Sequence, residues 1–84
     1  MEFILYSRSN CSLCEDMEDE LGPFIEKYNI IVKRQYVDND PELEQRYGSK
    51  VPVLTMDNKT LCEYFLDTDL LSSIIAQHHP VYKK

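Results

Sequence analysis

The sequence is poor in glycine and in basic residues, and it contains no long apolar run. It has only two glycines, no low-complexity segment and no internal repeat, which excludes a repeat architecture. Nine basic residues stand against fifteen acidic ones, and the net charge of −6 would repel nucleic acids and anionic membranes. No segment approaches the roughly 20 apolar residues that cross a bilayer. We therefore expect neither a nucleic-acid nor a membrane partner.

Cysteine is also scarce, with three in the chain, and the first six residues lack the basic and long apolar segments of a signal peptide. We therefore expect a cytoplasmic location, where thiols are mostly reduced. A CxxC pair in that setting indicates a catalytic or metal-binding site before it indicates a structural crosslink. The length of 84 residues allows a single domain over residues 1–84, and 43% hydrophobic residues suit a folded chain.

The hydrophobic pattern predicts seven elements in the order β-α-β-α-β-β-α. Short apolar segments predict strands at residues 3–6, 30–37, 51–56 and 60–65. Apolar residues at steps of three and four predict helices at residues 14–28, 41–47 and 67–75. Pro23 predicts a kink or a break in the first helix, Gly48 is placed to end the second, and Asp67 or Thr68 can cap the third. A strand-helix-strand start and a closing hairpin imply an α/β fold, with a four-stranded mixed sheet and flanking helices.

The segment Cys11-Ser12-Leu13-Cys14 follows the first predicted strand and opens the first predicted helix. Unpaired backbone N–H groups and the positive end of the helix dipole favour an anion at that place, which lowers the pKa of a cysteine. Cys11 is therefore the predicted nucleophile, and Cys14, one turn further on, is predicted to resolve the mixed disulfide. The Ser12 hydroxyl is a candidate hydrogen-bond donor to the thiolate, whereas Leu13 can only pack.

Two segments of the chain resemble those of a known family. Residues 5–14 resemble the active-site segment of glutaredoxins, and residues 47–54 resemble their segment leading into the cis-proline. With Val37-Asp38 at the end of the second strand, the sequence is similar to the small bacterial glutaredoxin-like family, a domain of unknown function. The resemblance spans essentially the full chain and implies a thioredoxin-like fold with thiol–disulfide oxidoreductase or electron-carrier activity. It also implies a cis peptide at Val51-Pro52 facing the dithiol, where Val51 offers its backbone to an extended peptide or to glutathione.

Glutathione is the co-substrate that the resemblance implies, but the family's glutathione-binding motif is incomplete here. Glutaredoxins usually carry a Gly-Gly pair and then an acidic or small polar residue, whereas residues 61–67 contain no glycine. Asp67 stands where the acidic residue stands, without the close backbone approach that glycine permits. Arg8 and Lys50 are candidate partners for glutathione carboxylates, with an ordinary solvated surface charge as the alternative for each.

Five of the six residues from 15 to 20 are acidic, at the start of the first predicted helix. These charges favour a helix N-terminus through the helix dipole. They would also raise the pKa of Cys11 wherever they approach it, and Arg8 would act in the opposite direction. We interpret the acidic run as a capped and solvated helix face, with the choice of a basic partner as the alternative.

Zinc is an alternative for the CxxC pair, because zinc sites use the same spacing. Zinc would need two more ligands, and the remaining soft candidates, Cys62, His78 and His79, do not form a second paired knuckle. We interpret the two histidines as a basic pair near a helix C-terminus. We interpret Cys62 as a half-buried strand residue, with a third redox thiol or a metal ligand as alternatives.

Three hypotheses of function result. The first is a monomeric oxidoreductase with no tightly bound cofactor, which acts on a disulfide-containing protein or a glutathione mixed disulfide. Glutathione or a reductase of the thioredoxin-reductase type would re-reduce it. The second is a thioredoxin-fold adaptor that binds an extended partner strand beside Pro52 and makes little or no use of the dithiol. The third is a metal-binding protein that holds zinc or an iron–sulfur cluster.

Overall fold

Seven secondary-structure elements occur in the order that the sequence predicts, which confirms the β-α-β-α-β-β-α pattern. The computed structural model describes residues 1–78. The elements are β1 (Glu2–Ser7), α1 (Ser12–Tyr28), β2 (Ile31–Tyr36), α2 (Pro41–Tyr47), β3 (Val53–Met56), β4 (Lys59–Glu63) and α3 (Thr68–His78). None of these helices is both long and apolar enough to cross a bilayer.

The four strands form one mixed sheet in the order β2-β1-β3-β4. β1 pairs parallel with β2, and β3 pairs antiparallel with both β1 and β4. The register places Ser7 opposite Tyr36, Tyr6 opposite Val53, and Val53 opposite Glu63. The carboxyl ends of β1, β2 and β4 therefore share one end of the sheet with the amino end of β3. We call this the dithiol end, because the chain passes from it into the CxxC segment.

Apolar side chains form a core on each face of the sheet. The larger core joins the sheet to α1 and α3, and its buried members are Phe3, Leu5, Met17, Leu21, Ile30, Leu54, Leu71 and Ile75. The smaller core lies under α2, and its buried members are Val37, Tyr47 and Val53. The ring of Tyr6 stacks on that of Tyr47, with 4.1 Å between the ring centroids. The mixed sheet with helices on both faces confirms the predicted α/β class.

The first helix continues without a break through Pro23, contrary to one of the two outcomes predicted for that residue. Pro23 removes the N–H that would bond the carbonyl of Asp19. Both residues are exposed, so water can reach that carbonyl. On the opposite side, Met17 and Leu21 are each 1% exposed. Their burial holds the helix against the sheet on the side away from the proline.

Side-chain caps fix the starts of the described helices. Asp40 Oδ1 accepts a hydrogen bond from the Leu43 N–H at 3.2 Å, with Pro41 at the first helical position. Asp67 Oδ1 accepts one from the Leu70 N–H at 3.0 Å. Asp67, rather than Thr68, is therefore the cap of α3.

Gly48 ends α2 as predicted. Glycine is needed there because a side chain would not fit, and not because the backbone is left-handed. Its φ of −53° lies in the right-handed helical region, which any residue adopts. A Cβ at this position would lie 2.9 Å from Arg8 Nη2 and 2.5 Å from the carbonyl oxygen of Glu44. Glycine is required here because the Arg8 guanidinium and the end of α2 occupy the place of a side chain.

Candidate active site

The two cysteines of the CxxC segment lie at the first turn of α1 and are joined as a disulfide. Cys11 is the N-cap residue, and its Sγ accepts a hydrogen bond from the Cys14 N–H at 3.1 Å. The Cα atoms are 5.3 Å apart. A sulfur that already accepts a backbone N–H at a helix N-terminus is in the place where a thiolate is stabilised by the unpaired N–H groups and the dipole.

The two sulfur-bearing side chains differ in burial. Cys14 is 3% exposed, whereas Cys11 is only partly buried. An attacking thiol needs access to its substrate, and a resolving thiol needs only to reach the first sulfur. The predicted roles require an accessible Cys11 and allow a buried Cys14, and the observed burial agrees with both.

The Arg8 guanidinium is engaged with α2 and the loop before it. Its Nη atoms donate to the two Glu44 carboxylate oxygens at 2.8 and 2.6 Å and to the Gly48 carbonyl at 2.8 Å. A longer ion pair joins it to Asp38 at 3.4 Å. Two carboxylates therefore offset its charge, so Arg8 is not a free cation beside Cys11. The bidentate geometry is the strong form of an arginine–carboxylate pair.

Asp38 fixes the loop that precedes Cys11. Its Oδ2 accepts hydrogen bonds from the Ser9 N–H at 2.9 Å and the Ser9 hydroxyl at 2.5 Å. These bonds, more than the nearby Arg8 charge, lower the pKa of Asp38 below its ordinary value. The hydrogen bond from Arg8 is the main cause that lowers the pKa of Glu44. The β1–α1 loop is thus held by groups that follow β2, thirty residues or so further along the chain.

The Val51-Pro52 peptide bond is cis, as the resemblance implies. Pro52 directly precedes β3, so it lies at the dithiol end of the sheet. Its carbonyl accepts the Tyr64 N–H at 2.8 Å. Outside the helices and strands, none of the backbone hydrogen bonds between described residues involves Val51. These bonds therefore leave the Val51 backbone uncommitted, which the predicted pairing with an extended chain requires.

Tyr64 is a residue of this region that the sequence analysis did not single out. It has a left-handed backbone with φ of 69°, which is costly for a tyrosine. Its N–H bonds the Pro52 carbonyl, and its hydroxyl donates to the Ser49 carbonyl at 3.0 Å. The next residue, Phe65, is 70% exposed. Tyr64 therefore links the end of β4 to the loop before β3 through two hydrogen bonds. The signal for it in the sequence was the absence, from residues 61–67, of the Gly-Gly pair that glutaredoxins usually carry.

The other predicted binding residues are distributed around this end of the molecule. Ser12 is exposed and Leu13 is partly buried at the start of α1. Lys50 is exposed, and within residues 1–78 its ammonium makes no ion pair. Asp67 is exposed and is occupied as the α3 cap. Lys50, unlike Arg8, is thus available to an anionic group of a ligand.

The acidic run at the start of α1 is mostly exposed, which fits a solvated helix face. Glu18 is the exception, because it pairs with Arg34 of β2 at 3.1 Å. Glu15 and Glu18 both line a small cavity beside the two cysteines. The acids are therefore close enough to the dithiol to contribute to its electrostatics.

Ser7 is the second residue that the sequence analysis passed over. It is 1% exposed at the end of β1 and lines the same small cavity as Cys11 and Cys14. The sequence carried a signal for it, since Phe3, Leu5 and Ser7 share one face of the strand and only the last is polar. A polar residue on a buried strand face normally needs a hydrogen-bond partner, and this pattern made Ser7 identifiable from the sequence.

Cys62 is half-buried on β4, opposite Leu54, and packs against the larger core. Burial raises the pKa of its thiol. This environment fits the interpretation of Cys62 as a small apolar residue. Among the described side chains, which do not include that of His78, no three histidine, cysteine or acidic groups converge into a metal-binding group. Of the two histidines considered as ligands, His79 lies outside the described residues.

The fold and the site together define a class: a thioredoxin-like domain with a CxxC dithiol at the start of a helix and a cis-proline at the same end of the sheet. A family model described as a glutaredoxin-like domain (DUF836) matches residues 2–76. The chain therefore belongs to the glutaredoxin-like family. No curated protein matches.

Solved structures of similar proteins agree with this assignment. The solution structure of protein Ne2328 from Nitrosomonas europaea is 32% identical, with a TM-score of 0.78 over 87% of this chain and 88% of that chain. The X-ray structure of XcR50 from X. campestris is 27% identical, with a TM-score of 0.65 over 89% and 96%. A mutant thioredoxin from Halobacterium salinarum is 25% identical, with a TM-score of 0.59 over 90% and 72%.

Proposed function

We propose that this protein is a thiol–disulfide oxidoreductase in which Cys11 attacks and Cys14 resolves. The Cys11 thiolate attacks one sulfur of a substrate disulfide, and the other substrate sulfur leaves as a thiolate. The Cys14 thiolate then attacks the Cys11 sulfur, which releases the second substrate thiolate and forms the Cys11–Cys14 disulfide. The substrate gains two electrons, and the two protein thiols lose them.

The observation that carries this proposal is the position of the Cys11 sulfur. It caps a helix of 17 residues and accepts the Cys14 N–H at 3.1 Å. The same N–H stabilises a thiolate better than a thiol, because the charge strengthens the hydrogen bond. Cys14 lies in the first turn of the same helix and is more buried than Cys11, which supports its role as the resolving cysteine.

The partner in this proposal is a disulfide-containing polypeptide or a glutathione mixed disulfide. The unpaired Val51 backbone supports an extended chain that adds to the start of β3. Lys50 is the exposed cation for a glutathione carboxylate, while the Arg8 guanidinium is already engaged. Glutathione or a reductase of the thioredoxin-reductase type returns the protein to its dithiol form, and no tightly bound cofactor takes part. We further propose that it acts as a monomer in the cytoplasm, away from nucleic acids and membranes.

A redox titration tests the proposal directly. The protein is equilibrated in glutathione buffers of stepped potential, the free thiols are alkylated, and the mass shift is read. We expect a reversible two-electron transition of Cys11 and Cys14 between about −180 and −270 mV, the range of working oxidoreductases. A pair that stays reduced throughout, or never forms a disulfide, overturns the proposal.

A second candidate function is a binding module that uses the same surface without the chemistry. It is favoured by the exposed Phe65 ring, which directly follows Tyr64, the residue whose N–H bonds the Pro52 carbonyl. Binding of a polypeptide partner that survives Cys11→Ser with unchanged affinity supports this function. Binding that is present with reduced wild-type protein and lost in Cys11→Ser favours the oxidoreductase.

A further inference from the structure

The strand that leads to the dithiol ends in a buried hydroxyl without a partner. Phe3, Leu5 and Ser7 of β1 point to the face that packs against α1. Ser7 is 1% exposed, and its Oγ makes no hydrogen bond to any residue that the structure describes. Buried polar groups are almost always hydrogen-bonded in folded proteins. An unpaired buried hydroxyl therefore indicates that another state of the protein supplies its hydrogen-bond partner.

The unsatisfied hydroxyl shares a cavity with the disulfide. The cavity measures about 70 Å³ and is lined by Ser7 together with both Cys11 and Cys14. Several of the other polar groups around it are committed, since Glu18 pairs with Arg34 and the Ser9 hydroxyl donates to Asp38. Cys14 is 3% exposed, so it is the more buried of the two cysteines.

We infer that Ser7 is a positioning residue for Cys14, and that its hydroxyl donates a hydrogen bond to the Cys14 sulfur in the dithiol state. The inference rests on the proposed redox cycle. A dithiol reductant breaks the Cys11–Cys14 bond, supplies two electrons and two protons, and is itself oxidised to a disulfide. Reduction frees the sulfur of a buried residue that lines the same cavity as Ser7, and in this inference the hydroxyl donates to it. The Ser7 hydroxyl therefore stabilises the reduced protein relative to the oxidised one.

The test compares the redox equilibria of wild type, Ser7→Ala and Ser7→Thr in buffers of reduced and oxidised dithiothreitol. In Ser7→Ala we expect the equilibrium to move about tenfold toward the disulfide, from the loss of one buried hydrogen bond and of one unsatisfied group. Tenfold corresponds to a midpoint about 30 mV more negative. Ser7→Thr keeps the hydroxyl and should titrate close to wild type.

Thr55→Val is the matched control. Thr55 is also a buried hydroxyl, at 2% exposure, but it donates to the Ile4 carbonyl and does not line the cavity of the cysteines. Its removal should lower the stability of both redox states equally and leave the midpoint in place. A midpoint that moves as far in Thr55→Val as in Ser7→Ala overturns the inference, because any buried hydroxyl would then have the effect.

Unfolding in urea of each redox form gives a second readout. Oxidised Ser7→Ala should be at least as stable as oxidised wild type, because it loses only an unsatisfied group, and the reduced variant should be less stable. Equal losses in both forms, or an unshifted midpoint, overturn the inference while the oxidoreductase proposal stands. A wild type that does not titrate overturns both, and that result is seen before any variant is compared.

Discussion

The two sides of the dithiol are built by different physical means. On the arginine side (Arg8, Ser9, Asp38, Glu44 and Gly48), charged groups meet in short hydrogen bonds that tie the β1–α1 loop to α2. On the proline side (Ser49, Val51, Pro52, Tyr64 and Phe65), the links are neutral bonds from Tyr64, and an aromatic ring stands exposed.

This difference indicates which side holds the dithiol loop in place and which side is available to bind a ligand. Every charged group on the arginine side has a partner, so this side has little left to offer a ligand. Among the described residues, the Val51 backbone on the proline side has no partner outside the helices and strands, and the Phe65 side chain is exposed to solvent. Exposed apolar surface near a site is typical of binding regions. We therefore propose that the first side supports the dithiol loop and that the second contacts the substrate.

The largest expected effect comes from removing the sulfur that lies between the two sides. Cys11→Ser should reduce disulfide-reductase activity to background, because no other thiol is placed for attack, while both sides remain folded. An insulin-disulfide turbidity assay measures it. Cys62→Ser is the control, since its thiol is half-buried on β4, and it should keep full activity. Activity that disappears in Cys62→Ser would contradict the assigned roles.

Gly48→Ala tests the tight contact on the arginine side. The added methyl group would meet the Glu44 carbonyl and the Arg8 guanidinium, and we expect a loss of about 1–3 kcal/mol in unfolding free energy from overpacking. Gly22→Ala is the matched control. No atom lies within 4 Å of its added Cβ in the middle of α1, so it should gain about 0.5–1 kcal/mol. Urea unfolding of both variants checks this, and equal effects would show that the contact is not tight.

Tyr64→Phe removes one bond from the proline side and keeps the ring. The lost bond to the Ser49 carbonyl should cost about 0.5–1 kcal/mol in urea unfolding, because the residue is 41% exposed. Tyr64→Gly relieves the left-handed backbone, which offsets the lost contacts, and should raise the KM for a peptide disulfide more than it lowers stability. An unchanged KM in Tyr64→Gly would place substrate contact elsewhere.

The smallest expected effect is the acid sensitivity of the arginine side. The pKa values of Asp38 and Glu44 are lowered from their ordinary values of 3.8 and 4.5. Their stabilisation is therefore present above pH 4.5 and is lost as the pH falls through the lowered values. Glu44→Gln should narrow the stability difference between pH 6 and pH 3, measured by urea unfolding, and only modestly because the pair is partly solvated. An unchanged or wider difference would show that the pair does not act in this range.

The elements and the dithiol were predictable because each depends on local sequence. Hydrophobic periodicity gave the strands and helices, and Cys11 at the end of a strand gave a capped helix start. Pro23 shows the limit of such reasoning. A proline inside a helical pattern predicts a kink or a break, yet α1 continues past it, because burial of its inner face outweighs one lost hydrogen bond.

By itself the sequence determined the element order, the CxxC at a helix N-terminus and, through resemblance, the cis-proline. Only the tertiary structure decided that Arg8 is held by Glu44, that Tyr64 crosses to Ser49, and that the Ser7 hydroxyl has no partner among the described residues. The physical reason is range. Periodicity and capping act over a few residues, whereas the Arg8 and Tyr64 contacts join residues that are 36 and 15 apart in the chain. The surroundings of the Ser7 hydroxyl likewise come from three separate segments that line one cavity.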